Sequence, residues 1–179
     1  NEDVDIPHRA GRNDAMSNSP VSEEEARAII LEWGRLHDLQ AGLSAFLPII
    51  AEEGFYMQFG EQRWIGYTDF EAHQVVKRKF FDEVHNYTDI QITVASPVTS
   101  AKTEMRWTYR YRPENSPRSQ LLKARIEHTW DFRRCAKTGR AFMQGHIVDL
   151  FEYEEGFRPD DKPDYDPHLD LKWKTRQQA

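Results

Sequence analysis

The sequence predicts an α+β fold: a curved antiparallel β-sheet wrapped as a cone around three N-terminal helices. Three observations predict it. Apolar residues recur at helical spacing through the first half of the chain. After Asn86 the period changes to two and holds to Tyr153. Turn-forming stretches divide that second half into four long segments. Helices first and a meander last is α+β order. A strongly curved sheet can wrap the helices and leave a pocket at its open end.

Helix one starts at a capping box, Ser22 with Glu25, and puts Ala26, Ile29, Ile30, Trp33 and His37 on one face. A second helix is expected from about Leu39, with Leu43, Phe46, Leu47 and Ile50 on its stripe and a kink or restart at Pro48. Residues GFYMQFG and RWIGY read as two short strands. Thr68 with Glu71 reads as a second capping box, opening a third helix whose buried stripe takes Phe70, Val75 or Val76, Phe80 and Val84. His73 falls on that stripe and reads as a satisfied core ring. Four long strands are then expected at about 87–98, 102–112, 119–135 and 140–153. Pro97, the PENSPRS stretch and the KTGR turn separate them. Residues 1–20 are expected to be a flexible leader, with Met16 as a natural start, residues 21–156 the cone domain, and 157–179 an irregular tail that docks through Trp173.

The 179 residues suit one domain with its own core, and 39% hydrophobic with 12% aromatic residues marks a globular chain. The net charge of −6 argues against a nucleic-acid partner, so Arg106, Arg110 and Arg112 read as a solvated strand face. No apolar run approaches the ~20 residues of a membrane span, and the N-terminus has no secretory pattern. The single cysteine, Cys135, excludes an internal disulfide, fits a cytoplasmic location, and reads as a surface or edge thiol rather than a nucleophile. No metal-ligand spacing, phosphate loop or serine elbow occurs, so neither metal nor cofactor is expected.

The passages EEARAIILEWGRLHD, LSAFLPIIAEEGFYMQF, GYTDFEAHQVV and WDFRRCAKTGR, in that order over residues 22–153, resemble the nuclear transport factor 2-like (cystatin-like) superfamily, in particular its SnoaL-like and ketosteroid isomerase-like domains. The resemblance implies a cone that binds a small hydrophobic molecule, and a homodimer formed through the convex sheet face. It implies isomerase, polyketide cyclase or dehydratase chemistry, or a non-catalytic binding module. Of the isomerase's three functional positions, the base falls at Gln58, the tyrosine near Trp33 or Gly34, and the oxyanion-stabilising aspartate at Asp131. An epoxide hydrolase needs Arg-x-Asp where this chain has Arg106-Trp107-Thr108, and its other aspartate falls near His146.

His128 and His146 interrupt apolar strand faces, and a histidine in an apolar cleft can move protons near neutral pH. His146 is therefore the expected proton carrier, with His128 beside it on the adjacent strand. Asp149, flanked at spacing two by Ile147 and Phe151, is either paired or functional. Asp149 or Asp131 would orient the histidine, although both are opposite to it in strand parity unless a bulge intervenes. Tyr56 would polarise a substrate carbonyl. Gln58, Trp107, Tyr109 and Trp130 complete the expected ligand contacts.

Overall fold

The computed structural model describes residues 16–112 and 116–159. Helix α1 (Glu23–Asp38) is followed by a single turn, α2 (Leu43–Phe46), a hairpin of β1 (Tyr56–Phe59) and β2 (Gln62–Ile65), and helix α3 (Gly66–Lys77). Strands β3 (Phe80–Thr93), β4 (Thr99–Tyr111), β5 (Gln120–Arg134) and β6 (Ala141–Tyr153) complete the chain. The sheet order is β2-β1-β6-β5-β4-β3. Every pairing is antiparallel except that of β1 with β6. The α+β cone is therefore present, and none of its described helices is long and apolar enough to cross a membrane.

Ser22 caps α1 as expected, its hydroxyl accepting from Glu25 N while the Glu25 carboxylate accepts from Ser22 N. Arg134, from the end of β5, clamps that carboxylate at 2.6 and 2.9 Å. Trp33 leads the helix into a core with Phe46, Phe55, Phe70 and Trp130.

The local readings fail in three places. α1 runs to Asp38 and Gln40 turns left-handed (φ 49), so the second helix shrinks to one turn ahead of Pro48. α3 starts two residues before Thr68, and Asp69, not a capping box, accepts from Ile65 N at 2.9 Å. Its stripe is Phe70, His73 and Lys77, while Val75 and Val76 are exposed. Phe80 and Val84 belong to β3, which begins seven residues before the expected boundary at 87. A bulge at Asp82–Glu83, with Asp82 at φ 51, breaks the alternation there and imitates helical spacing.

Strands β4 and β5 alternate without a fault, which places Trp107 and Trp130 inside. The convex face carries Arg125 among Glu104, Glu127 and Glu152. Cys135 is buried rather than at the surface, because Met16 bridges to it and Ser17 N donates to Arg134 O at 2.9 Å. Residues 16 and 17, expected in the leader, thus lie along the end of β5. Phe157 packs under Lys123. Residues 1–15 and 160–179, with Trp173, lie outside the described residues.

Candidate functional site

The inner face of the sheet, α1 and α3 enclose a cavity with about 590 Å³ of empty space, its mouth included. Its walls are mostly apolar: Trp33, Met57, Trp64, Met105, Ile126 and Phe151. Set into them are His37, His73, His85, His128 and His146, which are all the histidines among the described residues.

Asp38 and His85 form the best-defined polar contact. Asp38 Oδ1 accepts from His85 backbone N at 2.9 Å and from the ring Nδ1 at 2.5 Å. Two local features produce this contact. Asp38 ends α1, where the helix dipole favours a cation, so its carboxylate turns to another partner. Gly34, one turn earlier, leaves room for β3, since a Cβ there would lie 2.9 Å from Tyr87 Cε2 and 3.2 Å from His85 Cβ. A carboxylate on Nδ1 fixes the tautomer, so His85 keeps its proton there and offers the lone pair of Nε2. Burial pushes its imidazole below the ordinary range, opposed by Asp38. Burial and Asp38 likewise push the Tyr87 phenol up.

Beside the dyad lies a buried ion pair. Lys77 Nζ is 2.7 Å from Glu83 Oε2 and 3.2 Å from His37 Nδ1. Glu83 Oε2 also accepts from Trp107 Nε1 at 3.1 Å. The bulge in β3 turns Glu83 inward to meet α3. Burial, and then the Lys77 charge, hold His37 well below its usual range and His73 at about 3.

Farther across the same sheet, on β5 and β6, the rings of His128 and His146 are 4.8 Å apart. His146 also packs against Trp130 at 4.4 Å and Trp33 at 5.3 Å. Thr103, directly across from His128 in the β4–β5 register, has its Oγ1 3.3 Å from His128 Nδ1 and 2.9 Å from Trp130 Nε1. Burial holds His128 at about 3.

The cavity thus gathers Gln58, Trp107, His128 and His146 from the sequence-derived site. Trp130 stands behind His146, and Tyr109 is fully buried, stacked on Trp107 with its hydroxyl 2.9 Å from that of Tyr153. Tyr56, Asp131 and Asp149 are elsewhere. Tyr56 donates to Asp131 Oδ2 at 2.7 Å across Gly145, and it is burial and then Asp131 that push its phenol up to about 12. Asp149 is exposed and accepts from Thr129 at 2.7 Å. It is the inserted residue between the Glu127–Leu150 and His128–Val148 pairs. The bulge turns Phe151 inward and leaves Asp149 outside. Neither aspartate is positioned to orient His146.

Asp38, Lys77, Glu83 and His85 escaped the sequence reading, and His73 was read as core only. An aspartate closing a helix was the one available signal for the dyad.

No family model matches the sequence, and no curated protein does. Solved structures do. A provisionally assigned aromatic ring hydroxylase from Novosphingobium aromaticivorans superposes with TM-score 0.61 at 11% identity, over 73% of this chain and 92% of that one. A provisionally assigned dehydratase of the nuclear transport factor 2-like family from Streptomyces avermitilis gives 0.58 at 9%, over 70% and 93%. The chain has the nuclear transport factor 2-like fold. A ketosteroid isomerase-like protein from Erwinia carotovora atroseptica, at TM-score 0.55, 10% identity and coverage of 72% and 96%, shares the same frame. At these identities the nuclear transport factor 2-like frame is what is common, and the chemistry has to come from this chain's own residues.

Proposed function

We propose that the chain is a lyase or isomerase that removes a proton from a small hydrophobic cyclic substrate, using His85 as base and Asp38 to orient it. One observation carries this reading: a histidine in an apolar cavity has its Nδ1 2.5 Å from a carboxylate. The carboxylate fixes which nitrogen is basic and stabilises the imidazolium that forms. Burial keeps the free imidazole neutral, and Asp38 works against the cost that burial adds to its protonation. His146, the expected proton carrier, faces the same cavity as a second group able to return or relay the proton. The homodimer belongs to the proposal too. Light scattering at micromolar concentration measures it.

The test is hydrogen–deuterium exchange. A panel of small cyclic ketones and phenolic alcohols is incubated with the protein in D₂O and followed by NMR. His85→Gln should slow exchange of any accepted substrate by about 10²–10⁴-fold. Exchange at the wild-type rate in that variant would remove His85 as the base. Binding of the panel without exchange by the wild type would favour a non-catalytic module.

A further inference from the structure

The proposed proton removal leaves Lys77 without a task. A lysine on the buried stripe of a helix is uncommon, since its ammonium loses its hydration there. Lys77 is nevertheless only 8% exposed and lines the cavity. Its Nζ has three neighbours. Glu83 Oε2 lies 2.7 Å away, His37 Nδ1 3.2 Å away, and the centroid of the Trp107 ring 5.2 Å away. An ammonium can only donate, so His37 Nδ1 accepts from it and the imidazole is neutral. Burial, and then the Lys77 charge, keep it so. A second, more polar pocket lies between α3 and the loop after α1, with about 440 Å³ of empty space, its mouth included. His37 and Lys77 line both pockets. The amine thus stands where an aromatic-walled cavity and a polar one meet.

We infer that Lys77 is a nucleophile that captures a small aromatic aldehyde as an iminium ion. This activity is independent of the reading of His85 as a base. Nζ passes one proton to Glu83 Oε2, and the freed electron pair bonds the aldehyde carbon while the C=O π pair moves to oxygen. That oxygen takes two protons, the one held by Glu83 and a second from Nζ, and leaves with its bonding pair as water. The nitrogen pair then closes C=N. Lys–NH₃⁺ and O=CHR have become Lys–NH⁺=CHR and H₂O, with no oxidant, reductant or co-reactant. The first transfer suits a dry site, since moving a proton from ammonium to carboxylate removes two poorly solvated charges. Desolvation is one of the ways in which a lysine amine is made nucleophilic. The product carries the same charge on the same nitrogen, so Glu83 remains its counter-ion. An aldehyde carbon is uncrowded, and Trp33, Trp64 and Trp107 offer a flat ring apolar surface on the cavity wall. The expelled water has the polar pocket beside Lys77 to leave by.

Reductive trapping of the unmodified full-length chain is the test. Benzaldehyde and cyanoborohydride are added at neutral pH, and benzylation of each lysine is followed by peptide mass spectrometry. The exposed Lys102 and Lys137 serve as internal references. Lys77 should be labelled about tenfold faster than either, because the cavity holds the ring beside Nζ before reaction. Benzyl alcohol, which suits the same walls but forms no imine, should slow labelling of Lys77 and leave the references unchanged. Lys77 left unlabelled, or labelled no faster than the references, overturns the inference. Fast labelling that benzyl alcohol does not slow overturns it too, since the reaction would then come from an opened chain rather than from the cavity. Acetaldehyde, which lacks the ring, should label Lys77 no faster than the references. Acceleration equal to that of benzaldehyde would overturn the aromatic class.

Discussion

The two faces of one sheet treat polar residues in opposite ways. On the outer face of β4–β6, Arg125 sits among three glutamates with their side chains roughly a third exposed or more. Water solvates these groups whether or not they pair, so each contact contributes little. On the inner face of the same strands and the elements packed on it, Lys77 and Glu83 retain only 9% and 2% side-chain exposure. There each polar group must find a protein partner or lose its charge. The outer network is therefore replaceable. The inner one is constrained, and it surrounds the cavity.

Glutamate 83 gives the largest expected effect. Glu83→Gln leaves the Lys77 ammonium buried without its counter-charge and should cost about 3–5 kcal/mol in urea unfolding. The double variant Lys77→Met/Glu83→Leu should recover most of that. A single-variant loss below about 1 kcal/mol would show that the inner pair behaves like the outer ones.

Acid should separate the faces next. His73 and His128 stand near 3 in the fold against an ordinary 6.5. The unfolded chain therefore takes up their protons first. Stability is full above about pH 6.5 and falls toward pH 3, by about 1.4 kcal/mol per pH unit for each ring. Glu25, held at about 2 chiefly by Arg134, keeps its contribution above its ordinary value of 4.5 and loses it only as pH falls toward 2. Denaturant titrations should thus show stability declining from pH 6 downward, and His128→Gln should flatten the slope. A level profile from pH 6.5 to 4 would mean that the inner histidines are solvated.

A smaller effect is expected where the outer face is crowded. At Gly145 a Cβ would come within 2.4 Å of the Tyr56 ring. Gly145→Ala should push Tyr56 off Asp131 and cost about 1–3 kcal/mol. Exchange activity should survive, because neither residue lines the cavity.

Least of all should come from Arg125→Ala, which removes the centre of the outer network. A loss under ~1 kcal/mol that shrinks further with salt is expected. A loss of several kcal/mol would mean that this face is buried in an assembly.

The sequence by itself determined the element types, the α+β order and the inner face of β4 and β5. Unbroken alternation in those strands placed Trp107, His128 and Trp130 inside without any knowledge of the fold. Helix α1, with its capping box and buried stripe, was equally legible. These are local properties, set by period and by capping chemistry within a few residues. Tertiary structure decided the rest. The bulges at Asp82–Glu83 and Asp149 shift parity by one residue, and their consequence depends on the partner strand. One brings Glu83 to Lys77, and the other sends Asp149 to the surface. Asp38 and His85 are 47 residues apart and meet only because α1 crosses β3 at a glycine. A pairing of that kind leaves no period in the chain, since it exists only where two elements pack.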